Sequence, residues 1–430
     1  MRFPEGFLLG CATAAHQVEG GTVNDWSRWE QQPGRIKDGS SARVAIDHWS
    51  RYRSDLAELA ASGQNAHRFS VEWSRVEPAE GRFDRDALAH YADVVRRCRA
   101  LGMEPLVTLH HFTLPLWLAD QGGVRAPVAP LRFARFAAAC AEAFGDEVRW
   151  WITINEPVVL ATIGYLRGEW PPGRRSLLQT FAALRGLARM HAAGTLALRR
   201  VAALHGRAVQ VSVAHHVRGL LPADPSSALD RAVAALPDYM FNRWWLRVCR
   251  SGVLSPPIGW GERVPGLAGS LDYVGLNWYC DDVLAFDLMR PQELFARQEP
   301  MPGRPLTNFG WAIEPDGLRR ALHLVHRESG GLPVVVTENG VSDTHDELRP
   351  HYIVEHLAAA QKAIAEGVDV RGYMHWTAWD NFEWAEGFSQ RFGLYSIEPE
   401  TLRRCAKPSA AVYAAICREH GIPAHLRAQD

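Results

Sequence analysis

Lysine is nearly absent from this chain of 430 residues, occurring only at Lys37, Lys362 and Lys407. None of the three follows a glycine, so the Gly-Lys pair of a phosphate-cradling Walker A loop is missing. HExxH, GxSxG and a GxGxxG that opens a helix are missing as well, which removes the common zinc-protease, serine-hydrolase and dinucleotide signatures. Cysteine is sparse: the seven are odd in number, scattered and never spaced as CxxC, which argues against a disulfide framework and against a thiolate zinc site. Reduced, buried thiols are the expectation. Excess charge of one sign is also lacking, since 47 Lys+Arg face 48 Asp+Glu for a formal charge of −1. Neither nucleic acid nor an anionic membrane is therefore indicated as a partner. No apolar run approaches the roughly 18 residues of a membrane span, and the opening MRFPEGFLLGCATAAHQVEGG lacks the layout of a secretion signal. A cytoplasmic location is expected.

Tryptophan, by contrast, is plentiful: sixteen residues, more than cores usually need, which points to flat ligands with apolar faces or to an indole-rich core. Glycine closes one amphipathic stretch after another, at Gly63, Gly102, Gly145, Gly206, Gly252, Gly330, Gly367 and Gly421. A glycine just past the last apolar-periodic residue is a helix stop, because it takes the left-handed conformation freely. After most of these stops comes a short β-branched or aromatic run: NAHRFSV, EPLVTLHHF, RWWITIN, AVQVSVA, LDYVGLNWY, PVVVTE and VRGYMHW, with FLLGCATA at the start. Eight strands alternating with eight helices imply right-handed βαβ units and a parallel sheet closed into a barrel. An open doubly wound sheet is the alternative.

Pro- and Gly-rich segments follow strands at 165–175, 281–310 and 381–408, and a further one, 253–269, separates the fifth helix from the sixth strand. No polar linker divides the chain. The expected fold is α/β, a single (β/α)8 TIM barrel over residues 1–430, with its active site at the C-terminal ends of the strands. Polar residues at those ends are Gln17, Glu19, Arg68, His110, His111, Asn155, Glu156, His215, His216, Asn277, Tyr279, Glu338, Asn339 and Trp376. Two glutamates at the ends of strands 4 and 7 face each other across the mouth, which suits glycoside hydrolysis by an acid and a nucleophile. Each histidine pair offers only one ring inward, because consecutive strand residues point to opposite faces. Hydrogen bonding to hydroxyls is the simpler reading of those rings, and a metal shared between strands the other; no metal or cofactor is called for.

FPEGFLLGCATAAHQVEGG, RFSVEWSRVEP, TINEP, VTENG and HWTAWDNFEWAEGFSQRFGLY together resemble family 1 glycoside hydrolases, the β-glucosidase and β-galactosidase family, in the family's order along nearly the whole chain. The resemblance implies a retaining exo-β-glycosidase with Glu156 of TINEP as acid/base and Glu338 of TENG as nucleophile. It carries Arg68, Asn155 and Tyr279 over as supporting residues. Gln17, His111, Asn155, Glu383 and Trp384 match positions that hold sugar hydroxyls, Trp376 matches the indole beneath the ring, and Asn277 matches a further residue of the sugar site or a partner behind it. Burial and an anionic neighbour are expected to raise the Glu156 pKa, while Arg68 and Tyr279 hold Glu338 ionised. Two features bear on substrate. The family motif has Trp after the histidine and Asp two residues on, where this chain has His111, Phe112 and Thr113. The relatives that act on 6-phosphorylated sugars replace the glutamate matching Glu383 with a small hydroxyl residue and add a lysine nearby; here the glutamate is kept and no lysine is expected near it, so unphosphorylated sugars are implied. The partner is then a small-molecule β-glycoside or oligosaccharide. Loops 165–175 and 281–310 and the segment Asn242–Trp245 are expected to form the aglycone side. A transglycosylase and a silent glycan-binding barrel are the alternative readings.

Overall fold

A computed structural model describes residues 2–426. Its main strands are β1 (Leu8–Ala12), β2 (Ala66–Ser70), β3 (Glu104–His110), β4 (Trp150–Asn155), β5 (Gln210–Pro222), β6 (Val274–Phe286), β7 (Val334–Asn339) and β8 (Val370–Trp376). In the same order the main helices are α1 (His48–Ala61), α2 (Arg85–Ala100), α3 (Ala129–Phe144), α4 (Leu177–Leu204), α5 (Trp244–Ser251), α6 (Pro315–Ser329), α7 (Arg349–Ala365) and α8 (Pro408–Glu419). Each strand is parallel to both neighbours, and pairings of β8 with β1 and of β6 with β7 close the ring. The expected (β/α)8 barrel is present, and the open doubly wound alternative is excluded.

Alternation along each strand builds two cores. Leu106, Trp150, Ile152, Val335 and Met374 pack together inside the ring. Their chain neighbours Val107, Trp151, Val334, Val336 and Tyr373 belong to the larger core between strands and helices. Period-2 geometry with both faces covered accounts for strands that read as nearly continuous apolar runs. Seven of the tryptophans, Trp26, Trp73, Trp151, Trp244, Trp245, Trp278 and Trp379, are among the largest fully buried side chains, so much of the indole content is packing.

The helices start and stop on local signals. The Asp84 carboxylate accepts from the backbone N–H groups of Asp86 and Ala87 at the start of α2, and Ser176 accepts from Gln179 at the start of α4. Proline occupies the first turn of α3, α6, α7 and α8. Two of the eight stop glycines differ from expectation. Gly145 stays right-handed at φ −63° and runs on into a 3-10 turn, and after α8 the left-handed residue is His420 at φ 52° rather than Gly421.

The post-strand segments carry more structure than their composition implies. β5 and β6 continue side by side past the mouth, and Ala296–Pro300 pairs antiparallel with the end of β6, so 281–310 is largely a hairpin. Short antiparallel pairs also fill 253–269 (Val253–Leu254 with Glu262–Arg263) and 381–408 (Tyr395–Ile397 with Arg404–Ala406). Among the described residues no helix is long and apolar enough to cross a membrane.

Ring closure at β1 depends on a missing side chain. A Cβ on Gly10 would lie 2.0 Å from the Ala66 carbonyl oxygen and 3.2 Å from Met374 Sδ, between the two strands that flank it. Gly10→Ala should therefore force β1 away from β2 and destabilise by about 1–3 kcal/mol, read as a lower Tm in thermal melts; an unchanged Tm would contradict this packing.

Candidate active site

Strand register brings the functional groups to one level. Glu338 pairs with Asn277, Asn277 pairs with His216, and Asn155 pairs with Ala214, so β4 to β7 deliver their side chains to the mouth together. Arg68, from β2 and fully buried, ties this level into one unit. Its Nη1 donates to Glu338 Oε1 at 2.6 Å and to the Thr337 carbonyl at 3.0 Å, its Nη2 to Asn155 Oδ1 at 2.6 Å, and its Nε to Thr108 Oγ1 at 3.2 Å. A buried guanidinium is tolerable only with its charge paired and its N–H groups engaged. The second Glu338 oxygen accepts from the Tyr279 hydroxyl at 2.6 Å.

Glu156 stands at the end of β4 with left-handed backbone, φ 43°, immediately before a short helix (Pro157–Ala161). Its Oε1 accepts from Asn277 Nδ2 at 2.8 Å and lies 3.0 Å from His216 Nδ1. Asn277 also donates to Asn155 Oδ1 at 3.1 Å and accepts from Thr337 at 2.7 Å, which leaves it behind the carboxyl rather than facing a ligand.

In the free site the two carboxyls titrate in the reverse of the order expected from sequence. Burial works to raise Glu156, but the imidazole of His216, its hydrogen bond, the Asn277 amide and the charge of Arg68 together hold the carboxyl below its ordinary value. At Glu338 burial prevails over Arg68, and the charge of Glu156 reinforces it, pushing the group up to about 7. The physical reason for the correction is His216, a donor beside the acid whose contact no linear motif discloses. The charge of Glu156 disfavours ionisation of Glu338, as expected for two buried carboxylates in one site.

The rest of the mouth is a polar and aromatic ring. Gln17 Nε2 donates to the Phe382 carbonyl at 2.8 Å and reaches Glu383 Oε2 at 3.2 Å. Among the described residues, Gln17 Oε1 and His111 Nδ1 are buried without a hydrogen-bond partner. His111 Nε2 meets the Asn155 amide at 3.1 Å, and its ring lies near-parallel to both Trp376 and Trp384. Burial, reinforced by the charge of Glu338, pushes Glu383 up to about 8. Two lysines do come to this segment, Lys37 onto Glu386 and Lys407 onto Asp380, each already paired with a carboxylate.

Phe112 is left-handed at φ 71° and packs against Trp170 and Trp384, with ring centroids 4.9 and 5.1 Å away. Thr113, where the family motif has Asp, donates to Glu72 Oε2 at 2.9 Å and so points into the protein. The histidine pairs each send one ring inward. His111 and His216 line the mouth, while His110 packs on Phe133 and His215 bonds the Asn242 carbonyl. Asn242–Trp245 is not on the aglycone side: Asn242 clasps the backbone of Arg218, and Trp244 and Trp245 are fully buried. Trp170 and His216 are the mouth residues to which the sequence reading gave no individual role. The position of His216 at a strand end and the place of Trp170 in loop 165–175 were their signals.

A closed barrel that gathers two buried, electrostatically coupled glutamates at the ends of β4 and β7, within a ring of amides and indoles, has the makings of a glycoside hydrolase. The chain matches the model of glycosyl hydrolase family 1 over residues 1–422. It is 32% identical to β-glucosidase A of Thermotoga maritima, across 98% of this chain and 99% of that one. It is 29% identical to the β-galactosidase of Pyrococcus woesei, across 98% of each. The structure of the β-glycosidase from Pyrococcus horikoshii matches with a TM-score of 0.89 at 35% identity, covering 99% of this chain and 97% of that one. The protein belongs to glycosyl hydrolase family 1 and is an enzyme that cleaves glycosidic bonds.

Glu338 and Glu383 both take up a proton on folding, since their pKa values of about 7 and about 8 lie above the ordinary glutamate value. Their contribution to stability is full below about pH 4 and is lost as pH rises towards about 8. Glu383→Gln, neutral throughout, should flatten the fall in Tm over that range, measured by differential scanning fluorimetry; parallel Tm curves for variant and parent would contradict the shift.

Proposed function

We propose that this enzyme is a retaining exo-β-glycosidase that hydrolyses unphosphorylated β-D-glucosides, with β-fucosides and β-galactosides as further substrates and the whole chain 1–430 acting as one catalytic barrel domain. The observation that carries this reading is the pair of contacts on Glu338: the Arg68 guanidinium and the Tyr279 hydroxyl, each at 2.6 Å, hold one oxygen apiece and favour its ionised form. Such a carboxylate is suited to be the nucleophile, and Glu156 on the neighbouring Asn277 is suited to be the acid/base.

The reactive form has the pair's single proton on Glu156. A Glu338 oxygen attacks the anomeric carbon as the bond to the leaving oxygen breaks; that oxygen keeps the electron pair and takes the proton from Glu156. In the resulting glycosyl ester the charge on Glu338 is gone. Glu156 then loses the neighbour that disfavours its ionisation, and its carboxylate takes a proton from water. That water attacks the anomeric carbon from the side the aglycone left, the ester bond breaks, and the Glu338 carboxylate is restored. Two inversions give net retention.

The Asn155 amide, held to Glu338 through Arg68, is suited to the 2-hydroxyl, where a hydrogen bond that strengthens in the transition state acts directly on rate. Gln17, His111, Glu383 and Trp384 are suited to the remaining hydroxyls and Trp376 to the ring face. Glu383, with its neighbouring lysines paired elsewhere, disfavours a 6-phosphate. Relatives named for glucosides and for galactosides agree with a carboxyl that spans the 4- and 6-positions. Six buried cysteines and one half-buried, all unpaired, support a cytoplasmic site of action.

Glu338→Gly should lower kcat on aryl β-glucosides by about 10,000-fold or more, the scale on which loss of a covalent nucleophile acts, and azide or formate should restore turnover. Undiminished activity in that variant would sink the assignment. Tyr279→Phe removes a donor that stabilises the Glu338 carboxylate, the group of higher pKa in the free pair, so the basic limb of the kcat/KM profile should move to higher pH. An unmoved limb would separate Tyr279 from the nucleophile.

A further inference from the structure

His216 is a titratable mouth residue to which the mechanism above gives no task. Its Nδ1 lies 3.0 Å from Glu156 Oε1, the same oxygen that accepts from Asn277 at 2.8 Å, while Glu156 Oε2 makes no hydrogen bond among the described residues. The ring is fixed from two sides. It lies near-parallel to Tyr279, centroids 5.8 Å apart at 25°, and Phe241 meets it edge-on at 5.6 Å and 86°. The residue is only 9% exposed, so the imidazole has little freedom to turn away. Titratable and charged groups that face Glu156 are His216 from β5, Arg68 from β2, Tyr279 from β6, Glu338 from β7, and Glu383, while His215 from β5 feels its charge from the other face of the strand.

We propose that His216 is a positioning residue for proton transfer: together with Asn277 it occupies Glu156 Oε1, so that the proton passes to and from the leaving oxygen on Oε2 alone. This role rests on the acid/base reading of Glu156 and on donor geometry. The Asn277 amide nitrogen is a donor only, and an imidazole Nδ1–H beside it makes Oε1 a double acceptor. A proton on Oε1 would confront both donors; on Oε2 it meets neither. Binding one oxygen also fixes the carboxyl plane, which sets the direction in which the other presents its proton. A ring that merely bound a sugar or aglycone hydroxyl would have no need to hold the acid, and its loss would act on every substrate alike.

The test uses aryl β-glucosides of different leaving ability. Departure of 2,4-dinitrophenolate needs no proton, whereas departure of phenolate does. In His216→Phe, kcat/KM for the phenyl glucoside should fall by about 10–100-fold, part of the range that general acid catalysis supplies. For the dinitrophenyl glucoside it should change by less than about threefold. The acidic limb of the phenyl profile should move to higher pH, because burial of Glu156, the group of lower pKa in the pair, is then no longer opposed by the imidazole. His216→Gln keeps an N–H donor and should recover part of the phenyl activity. Equal losses on both substrates with an unmoved acidic limb would overturn the proposal and assign His216 to binding or packing. Glu156→Ala separates the two readings. With azide and the dinitrophenyl substrate it should yield the β-glycosyl azide, and failure there would remove the acid/base reading itself rather than the role of His216.

Discussion

The charge of Arg68 is the constraint on which the mouth of this barrel depends. A guanidinium shut inside a protein requires a partner, and removing that partner from such a pair typically destabilises by about 3–5 kcal/mol. Here the partner is Glu338, and the remaining N–H groups reach β3, β4 and the backbone of β7. The same carboxylate is thus needed twice, as the counter-ion that makes the arginine tolerable and as the group that attacks sugar. Asn155 and Asn277 pass the constraint on to Glu156. One ion pair therefore sets the relative positions of both carboxyls, and the barrel supplies rigid strands on which to hold it.

Much of this was legible in the sequence. Helices read from their stop glycines and strands read from β-branched runs all exist, because both signals are local: a residue that ends a helix does so wherever the helix packs. Glu156 and Glu338 could be placed opposite each other by counting strands, since a barrel fixes the angular position of each strand end. What composition concealed was structure built from ordinary residues. The hairpin between β6 and Ala296–Pro300 lies in a segment whose prolines and glycines read as loop, and Asn242–Trp245, aromatic enough to resemble a ligand wall, is core.

The order of the two pKa values was the deeper miss. A motif gives a carboxyl its identity but not its neighbours, and the neighbour that matters, His216, arrives from β5, 60 residues away in the chain. Register places it: once His216 pairs with Asn277 and Asn277 with Glu338, the three side chains share a level. Pairwise electrostatics over 3 Å cannot be read from a string, whereas the residues that create it can.

Three residues of the mouth, Phe112, Glu156 and Trp384, hold left-handed backbone at φ 71°, 43° and 49°. That conformation costs a non-glycine residue roughly 1–3 kcal/mol, and each of the three comes from a different loop. Glycine would relax every one of them. A programme of thermostabilisation guided by folding energy alone would therefore begin by dismantling the site. Screens for a hardier form of this enzyme need to select for turnover and heat tolerance together.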